Sequence, residues 1–270
     1  MSTIFRRKGC DRVLIDLNTQ CDYFLARGAV PVANRSDVIP NIRRLFEWAR
    51  HWSVPVISSL DAHRADEPFN GVPRHCIDRT PGQRKLPFTL LPRRILLDGD
   101  NTLDLPPDIL SRYRQIIFAK RSRDLLGNPK ADRLLTDMNV THQIVFGVLS
   151  EHCVKATVLA LLTRQRNVVV VRDACGHWNG NEAELALRQI EAKGAYMTTT
   201  EQIIAFDTLP VRVFQVALDG ESRGGGELVE AAASAGGNGH SGGNGLGSKV
   251  SGHRIAVASR GQPAVGKMLA

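Results

Sequence analysis

The sequence predicts an α/β fold of three layers, in which helices cover both faces of a mostly parallel central sheet. Short apolar runs of strand length alternate along the chain with longer segments whose apolar residues recur at helical spacing. The short runs are apolar throughout and do not alternate with polar residues, which is typical of parallel strands buried on both faces. The alternation therefore indicates repeated strand–helix units in one sheet.

The predicted strands are brief apolar runs bounded by polar residues or glycine. In chain order they span residues 13–17, 54–60, 115–120, 142–148, 167–173 and 195–198. The predicted helices span residues 36–52, 130–138, 151–164 and 181–193. In the first of them Ile42, Leu45 and Ala49 fall on one face, and Ser36 or Asp37 would cap the N-terminus.

Three regions of different character divide the chain. Residues 1–10 form a basic N-terminal extension, and residues 11–217 form one folded domain. Within that domain, residues 61–107 are rich in Pro, Gly, Arg and Asp, and a long irregular insertion of this kind is usually functional. Residues 218–270 hold more than half of the chain's 24 glycines and cannot bury enough apolar surface to fold, so we expect a disordered tail.

Composition argues against several classes of function. No apolar run is long enough to cross a membrane, so we expect no membrane partner. The net charge of +8 comes from scattered basic residues, with three Trp and three Tyr, so we expect no nucleic-acid partner. The five cysteines form no CxxC pair, which favours reduced thiols and a cytoplasmic location.

Cys153 is the residue that most suggests chemistry. It lies where a predicted strand gives way to a helix, and free N–H groups at such a junction stabilise an anion and lower a thiol pKa. Asp16 and Lys120 lie near the ends of two other predicted strands, and a sheet of this type gathers its functional groups at one edge. Lysine favours a thiolate and aspartate can accept its proton. Each residue also has a structural alternative: a core thiol, a turn cap and a surface charge.

A second set of residues lies in the irregular insertion. Asp61 and His63 are two apart, so they project to one side of an extended segment, and His75 could complete three ligands. Such a set suits Zn²⁺, or Mn²⁺ or Fe²⁺ under other conditions. The alternative is that Asp61 starts a loop and the histidines only pack there.

Several motifs in this order resemble the isochorismatase-like cysteine hydrolases, and among them the nicotinamidase branch. The similar segments are residues 13–24 (an apolar strand with Asp16, then Asp22-Tyr-Phe where the family has an Asp-Phe pair), 118–120, 147–154 and 171–175. Residues 58–63 and 73–82 resemble the metal motifs of the nicotinamidases. The resemblance covers about residues 11–205.

The resemblance implies a Rossmann-like hydrolase fold and a catalytic triad of Asp16, Lys120 and Cys153. It implies a cis peptide between Val148 and Leu149, which would direct the backbone N–H groups of Leu149 and Cys153 at an oxyanion. The implied reaction converts nicotinamide and water to nicotinate and ammonia through a thioester, a step of pyridine nucleotide metabolism and NAD salvage. It uses no organic cofactor, and members of the family often form homo-oligomers.

The resemblance also implies that Asp61, His63 and His75 bind a divalent metal, which would be Zn²⁺. Phe69 or a neighbour stands where some nicotinamidases have a fourth ligand, and Arg79 stands where a glycine is usual. Two alternatives stay open. One is a family hydrolase of another small amide, ureido compound or vinyl ether, without metal. The other is a non-catalytic binding protein in which Cys153 is no more reactive than other cysteines.

Overall fold

The computed structural model describes residue 5 and residues 10–69, 71–99 and 102–205, together with the backbone of 211–212 and 228–229. Its core is a seven-stranded sheet in which every pair of neighbours is parallel. The strands are β1 (Arg12–Leu17), β2 (Val56–Asp61), β3 (Arg94–Leu97), β4 (Gln115–Lys120), β5 (His142–Val148), β6 (Val168–Gly176) and β7 (Tyr196–Thr198). Their order across the sheet is β3-β4-β2-β1-β5-β6-β7. The predicted parallel sheet is confirmed.

Helices cover this sheet and complete the predicted three layers. They are α1 (Cys21–Phe24), α2 (Arg35–His51), α3 (Ile109–Arg112), α4 (Pro129–Asp137), α5 (Lys155–Thr163), α6 (Gly180–Ala192) and α7 (Thr200–Ala205). The helix α2 packs against α7 and β6, whereas α5 packs against α6. Four of the helices occupy the segments for which the sequence predicted them, with bounds shifted by a few residues.

The local sequence explains where the helices begin. The Asn128 side chain accepts hydrogen bonds from the first N–H groups of α4, and Pro129 at the first helical position needs no partner for its nitrogen. Asn179 caps α6 in the same way. The predicted apolar face of α2 is buried, with Ile42 and Leu45 fully inaccessible to solvent. Capping and burial together fix these helices on the sheet.

Two segments differ from the sequence-based prediction. Strand β3 lies within the stretch predicted to be irregular. It is a short edge strand paired with β4, and its apolar run, residues 95–97, is too short to predict a strand. The predicted helix over 151–164 begins with one π-helical turn, Ser150–Val154, before α5. This turn carries Cys153.

The C-terminal prediction is largely outside the described residues. Two short strands, β8 (Val211–Arg212) and β9 (Leu228–Val229), pair in antiparallel fashion, and β9 falls inside the segment predicted to be disordered. The rest of 218–270 is not described. Within the described residues, the structure has no helix with the length and apolar character needed to span a bilayer.

Candidate active site

The carboxyl ends of four adjacent strands, β4, β2, β1 and β5, meet at one edge of the sheet. Lys120 ends β4 and Asp61 ends β2, and the two residues are register partners across these neighbouring strands. Cys153 follows β5 after the π-helical turn. All three side chains are buried, with exposed fractions of 2%, 5% and 6% for Lys120, Asp61 and Cys153. Strand order thus brings an ammonium, a carboxylate and a thiol together.

Lys120 contacts both of the other groups. Its Nζ donates to Asp61 Oδ1 in a short hydrogen bond, to the Ser122 carbonyl oxygen at 2.9 Å, and to Cys153 Sγ at 3.6 Å. Burial acts to lower the pKa of Lys120, but the neighbouring Asp61 and Cys153 outweigh it and raise the pKa above its usual range. The side chain therefore stays an ammonium ion at neutral pH.

Burial is the largest influence on the Cys153 thiol and raises its pKa. Lys120 counteracts this rise in the pKa, because its positive charge favours the thiolate. Hydrogen bonds from the Leu149 backbone and the Asn18 side chain act in the same direction. The Val148–Leu149 peptide is cis, so that part of the prediction is confirmed. Before it, Gly147 has φ 119°, and a Cβ there would lie 2.1 Å from the Leu17 carbonyl oxygen, so glycine is required.

Asp16 pairs with a lysine other than Lys120. Its Oδ2 pairs with Lys85 Nζ at 2.8 Å and accepts from Ser58 Oγ at 2.8 Å, and the residue is completely buried. Asp16 is inside β1, one residue before the last, and its Cα partners are Ser58 and Phe146. It therefore lies one residue, about 3.3 Å, before the strand end. Among the described residues, its buried Oδ1 has no hydrogen-bond partner, so the catalytic role of Asp16 stays a prediction.

Asn18, one residue beyond β1, has its side chain in hydrogen-bond contact with the Cys153 thiol. Its Nδ2 donates to the Val148 carbonyl oxygen at 3.0 Å, and its Oδ1 accepts from Ser59 Oγ at 2.6 Å. The residue has φ 51°, a left-handed conformation that asparagine tolerates better than most residues. A neutral amide, and not a carboxylate, therefore joins Cys153 to the ends of β1 and β5.

The residues predicted as metal ligands do come close to one another. The rings of His63 and His75 are 5.0 Å apart between centroids. Each ring has its Nδ1 engaged, that of His63 with Glu67 Oε1 at 3.0 Å and that of His75 with the Pro73 carbonyl oxygen at 2.8 Å. A carbonyl oxygen can only accept, so His75 carries its proton on Nδ1 and keeps a lone pair on Nε2. Burial lowers the pKa of His75, which favours the neutral ring.

The third expected ligand is already engaged on both oxygens. Asp61 Oδ1 accepts from Lys120, and Oδ2 accepts from the Tyr23 hydroxyl at 2.7 Å. Among the described residues, no three His, Cys, Asp or Glu side chains form a group suited to a metal ion. The two histidines suit a metal, but Asp61 as placed does not. The expected three-ligand set is not assembled.

Aromatic rings pack against one another next to these groups. Tyr23 packs edge-on to His75 at 5.5 Å, and His75 packs edge-on to Trp178 at 6.0 Å between centroids. His152, next to the thiol residue, lies 6.0 Å from Trp178, and Phe69 lies 5.0 Å from His63. We call these six residues the aromatic cluster: Tyr23, His63, Phe69, His75, His152 and Trp178. Such a wall suits a small flat ligand.

Partly buried polar contacts hold this cluster in place. Glu151 Oε1 accepts from the backbone N–H of Trp178 at 2.8 Å, and the indole N–H donates to the Val30 carbonyl oxygen at 3.0 Å. On the other side, Asp22 Oδ2 accepts from the backbone N–H of Cys76 at 2.7 Å, which ties the His75 loop to α1. The ring positions are therefore set by the fold.

Sequence reasoning missed three members of the site: Asn18, Tyr23 and Trp178. Asn18 and Tyr23 lie in the motif that follows β1, and a polar residue at a strand end was the available signal. Trp178 lies just after β6, again at a strand end. Its contact with His152 joins segments 26 residues apart in the chain, and no periodicity in the sequence reports such a contact.

The chain is similar in sequence and in fold to known proteins of one family. The model of the isochorismatase domain matches residues 12–202. The nicotinamidase of Escherichia coli (strain K12) is 27% identical over 203 residues, which are 70% of this chain and 94% of that protein. The solved pyrazinamidase of Pyrococcus horikoshii in complex with zinc superposes with a TM-score of 0.54 at 24% identity, covering 70% of this chain and 99% of that one. An isochorismatase family protein from Desulfovibrio vulgaris superposes with a TM-score of 0.57 at 21% identity. The match covers 72% of this chain and 96% of that one.

Proposed function

This chain belongs to the isochorismatase family, and from the site at its sheet edge we propose that it is a cysteine hydrolase of small planar amides. The observation that carries the proposal is the contact between Lys120 Nζ and Cys153 Sγ at 3.6 Å beside the aromatic cluster. Nicotinamide is the first substrate to test, because the E. coli relative is a nicotinamidase.

Cys153 is the proposed nucleophile, with Asp61 in place of Asp16 as its proton acceptor. Lys120 contacts both groups, so it can pass one proton to Asp61 Oδ1 while it takes the thiol proton. The S–H bond breaks, an O–H bond forms on Asp61, and Lys120 keeps its charge. The result is a thiolate beside an ammonium ion. The thiolate is the reactive form of cysteine.

The thiolate then attacks the amide carbonyl. The backbone N–H groups of Leu149 and Cys153 would stabilise the resulting oxyanion. As the C–N bond breaks, the proton held by Asp61 returns through Lys120 to the leaving nitrogen, and ammonia departs. Water attacks the thioester, Asp61 accepts a proton from that water, the acid leaves, and the proton returns to Cys153.

The substrate class follows from the shape and polarity of the walls. Trp178, Tyr23 and Phe69 offer ring faces and edges to a planar group, and ring–ring contacts add about 0.5–1.5 kcal/mol each. His75 presents its Nε2 lone pair and can accept a hydrogen bond from the substrate. These features favour an aromatic carboxamide over a long or charged aliphatic chain.

A second candidate is a metal-independent hydrolase of another small amide or ureido compound. The engagement of both Asp61 oxygens by Lys120 and Tyr23 favours it, since the family's metal site needs that carboxylate. The catalytic steps above contain no metal and apply to either substrate. Homo-oligomerisation and a cytoplasmic location stay predictions from the sequence.

The test is ammonia release by the full-length protein from nicotinamide, pyrazinamide and a small ureido compound. We expect turnover of at least one, and a loss of about a thousandfold or more in the Cys153→Ala variant. The matched control is Cys175→Ala, which removes another buried thiol that hydrogen-bonds the Val171 carbonyl oxygen. It should keep most of the activity. Substantial turnover by folded Cys153→Ala protein would contradict the mechanism.

A further inference from the structure

We propose that Tyr23 determines the metal dependence of this site: its hydroxyl, together with Lys120, occupies the Asp61 carboxylate and keeps a divalent metal from binding between Asp61, His63 and His75. The property affected is the affinity of the site for a metal. It depends on the contacts of Asp61, whether or not amide turnover is found.

The charge balance around Lys120 requires Asp61. A buried ammonium ion needs a carboxylate partner, because losing one member of a buried pair leaves an uncompensated charge. Asn18, beyond the end of β1, is neutral, and Asp16 is paired with Lys85. Among the described residues, Asp61 is the carboxylate that contacts Lys120. A metal on Asp61 would therefore weaken this pair and add two positive charges next to the ammonium.

The Tyr23 hydroxyl blocks the remaining oxygen. It donates to Asp61 Oδ2 at 2.7 Å, and the residue is 2% exposed. Its ring is packed between His75 and Trp178, so the hydroxyl cannot turn out to water without moving both rings. A metal on Oδ2 would compete with this hydrogen bond for the electron density of the same oxygen.

Without Asp61, the groups left to bind a metal are the imidazole rings of His63 and His75. Two histidines without a carboxylate fall short of the three protein ligands of typical open zinc sites. The pair is pre-oriented, since Glu67 and the Pro73 carbonyl fix the two Nδ1 atoms. One phenylalanine substitution would give this pair its third ligand. The chain thus holds a latent zinc site closed by one hydroxyl and one ammonium.

The experiment is a Zn²⁺ titration by calorimetry of the full chain, purified without a polyhistidine tag, with bound zinc measured by mass spectrometry after dialysis. We expect Tyr23→Phe to bind zinc at least about tenfold more tightly than wild type, a size typical of changes around a ligand. Tyr23→Phe/Lys120→Met, which clears both oxygens, should bind more tightly still. Tyr113→Phe, a tyrosine substitution away from the site, should match wild type.

Adding His63→Ala to the Tyr23→Phe variant should remove the gain. The proposal would be overturned if the wild-type protein kept stoichiometric zinc after dialysis and the Asp61→Asn variant lost it. Equal zinc affinities of wild type and folded Tyr23→Phe would overturn it as well. Circular dichroism melts establish folding, and the wild-type titration decides the question if a variant does not fold.

Discussion

Lys120 and Asp61 are register partners on β4 and β2, and a buried ion pair joins their side chains. The same ammonium lies 3.6 Å from the Cys153 sulfur. One lysine therefore connects the proposed nucleophile, Cys153, to a carboxylate on β2. That carboxylate, Asp61, is the proton acceptor that we propose in place of Asp16 on β1. This arrangement separates the roles of the two buried carboxylates, Asp61 and Asp16.

Asp61→Asn should abolish the proton relay. The amide can still contact Lys120 but cannot accept the thiol proton, and general acid–base groups contribute about 10²–10⁴-fold. We expect kcat of the folded protein for the best amide substrate to fall within that range, with a loss of stability as well, because Lys120 is left without its carboxylate. Steady-state ammonia release measures the loss. Activity within a few-fold of wild type would show that another group accepts the proton.

Asp16→Asn should act on stability instead. It leaves Lys85 buried next to a neutral amide, and breaking a buried pair costs about 3–5 kcal/mol. We expect urea unfolding to report a loss of this order, with kcat of the folded fraction much less affected than in Asp61→Asn. If kcat collapses and stability does not change, Asp16 has the catalytic role that the sequence suggested.

The buried thiols should differ in reactivity. Burial raises the pKa of Cys175 to about 12, and burial and nearby carboxylates raise that of Cys76 still further. Lys120 Nζ donates to Cys153 Sγ at 3.6 Å and favours its thiolate, so alkylation by iodoacetamide should modify Cys153 before the other two. Peptide mapping after timed labelling measures this order. Equal labelling of the three thiols would favour a non-catalytic binding protein.

The pH dependence follows from the same thiol. Because the pKa of Cys153 is raised, the thiolate fraction and the alkylation rate should increase as the pH rises from neutral into the alkaline range. Lys120→Met removes the ammonium that favours the thiolate, so its rate profile should shift to higher pH. A profile that shifts to lower pH would mean that Lys120 does not stabilise the thiolate. Lys130→Met, in α4, is the control and should leave the profile unchanged.

Trp178→Ala should affect binding of ring substrates. Removing the indole takes away a wall of the aromatic cluster while Cys153, Lys120 and Asp61 stay in place. We expect KM for an aromatic amide to rise about tenfold, with a smaller change for a short aliphatic amide. A proportional loss of kcat for both substrates would indicate that Trp178 supports the chemical step instead.

The sequence predicted much of the fold because the signals involved are local. The strands β4 and β5 have the predicted bounds, since an apolar run between polar residues marks a buried parallel strand wherever it occurs. The edge strand β3 was missed because its apolar run, residues 95–97, is too short to give that signal. For the site, motif similarity pointed to Cys153 and Lys120 and to the cis peptide at Val148–Leu149, and the structure brings these together.

The sequence by itself determined which segments form strands, that the strands are parallel, and that a thiol and a lysine lie at their carboxyl ends. Which carboxylate meets the lysine was decided only by the tertiary structure. Asp16 lies inside β1 and Asn18 lies one residue beyond its end, so the extent of β1 places the amide at the sheet edge. The hydroxyl of Tyr23 reaches Asp61 across 38 residues of chain. Such partners depend on packing between distant segments, and a buried charge pairs with whichever opposite charge the fold brings to it.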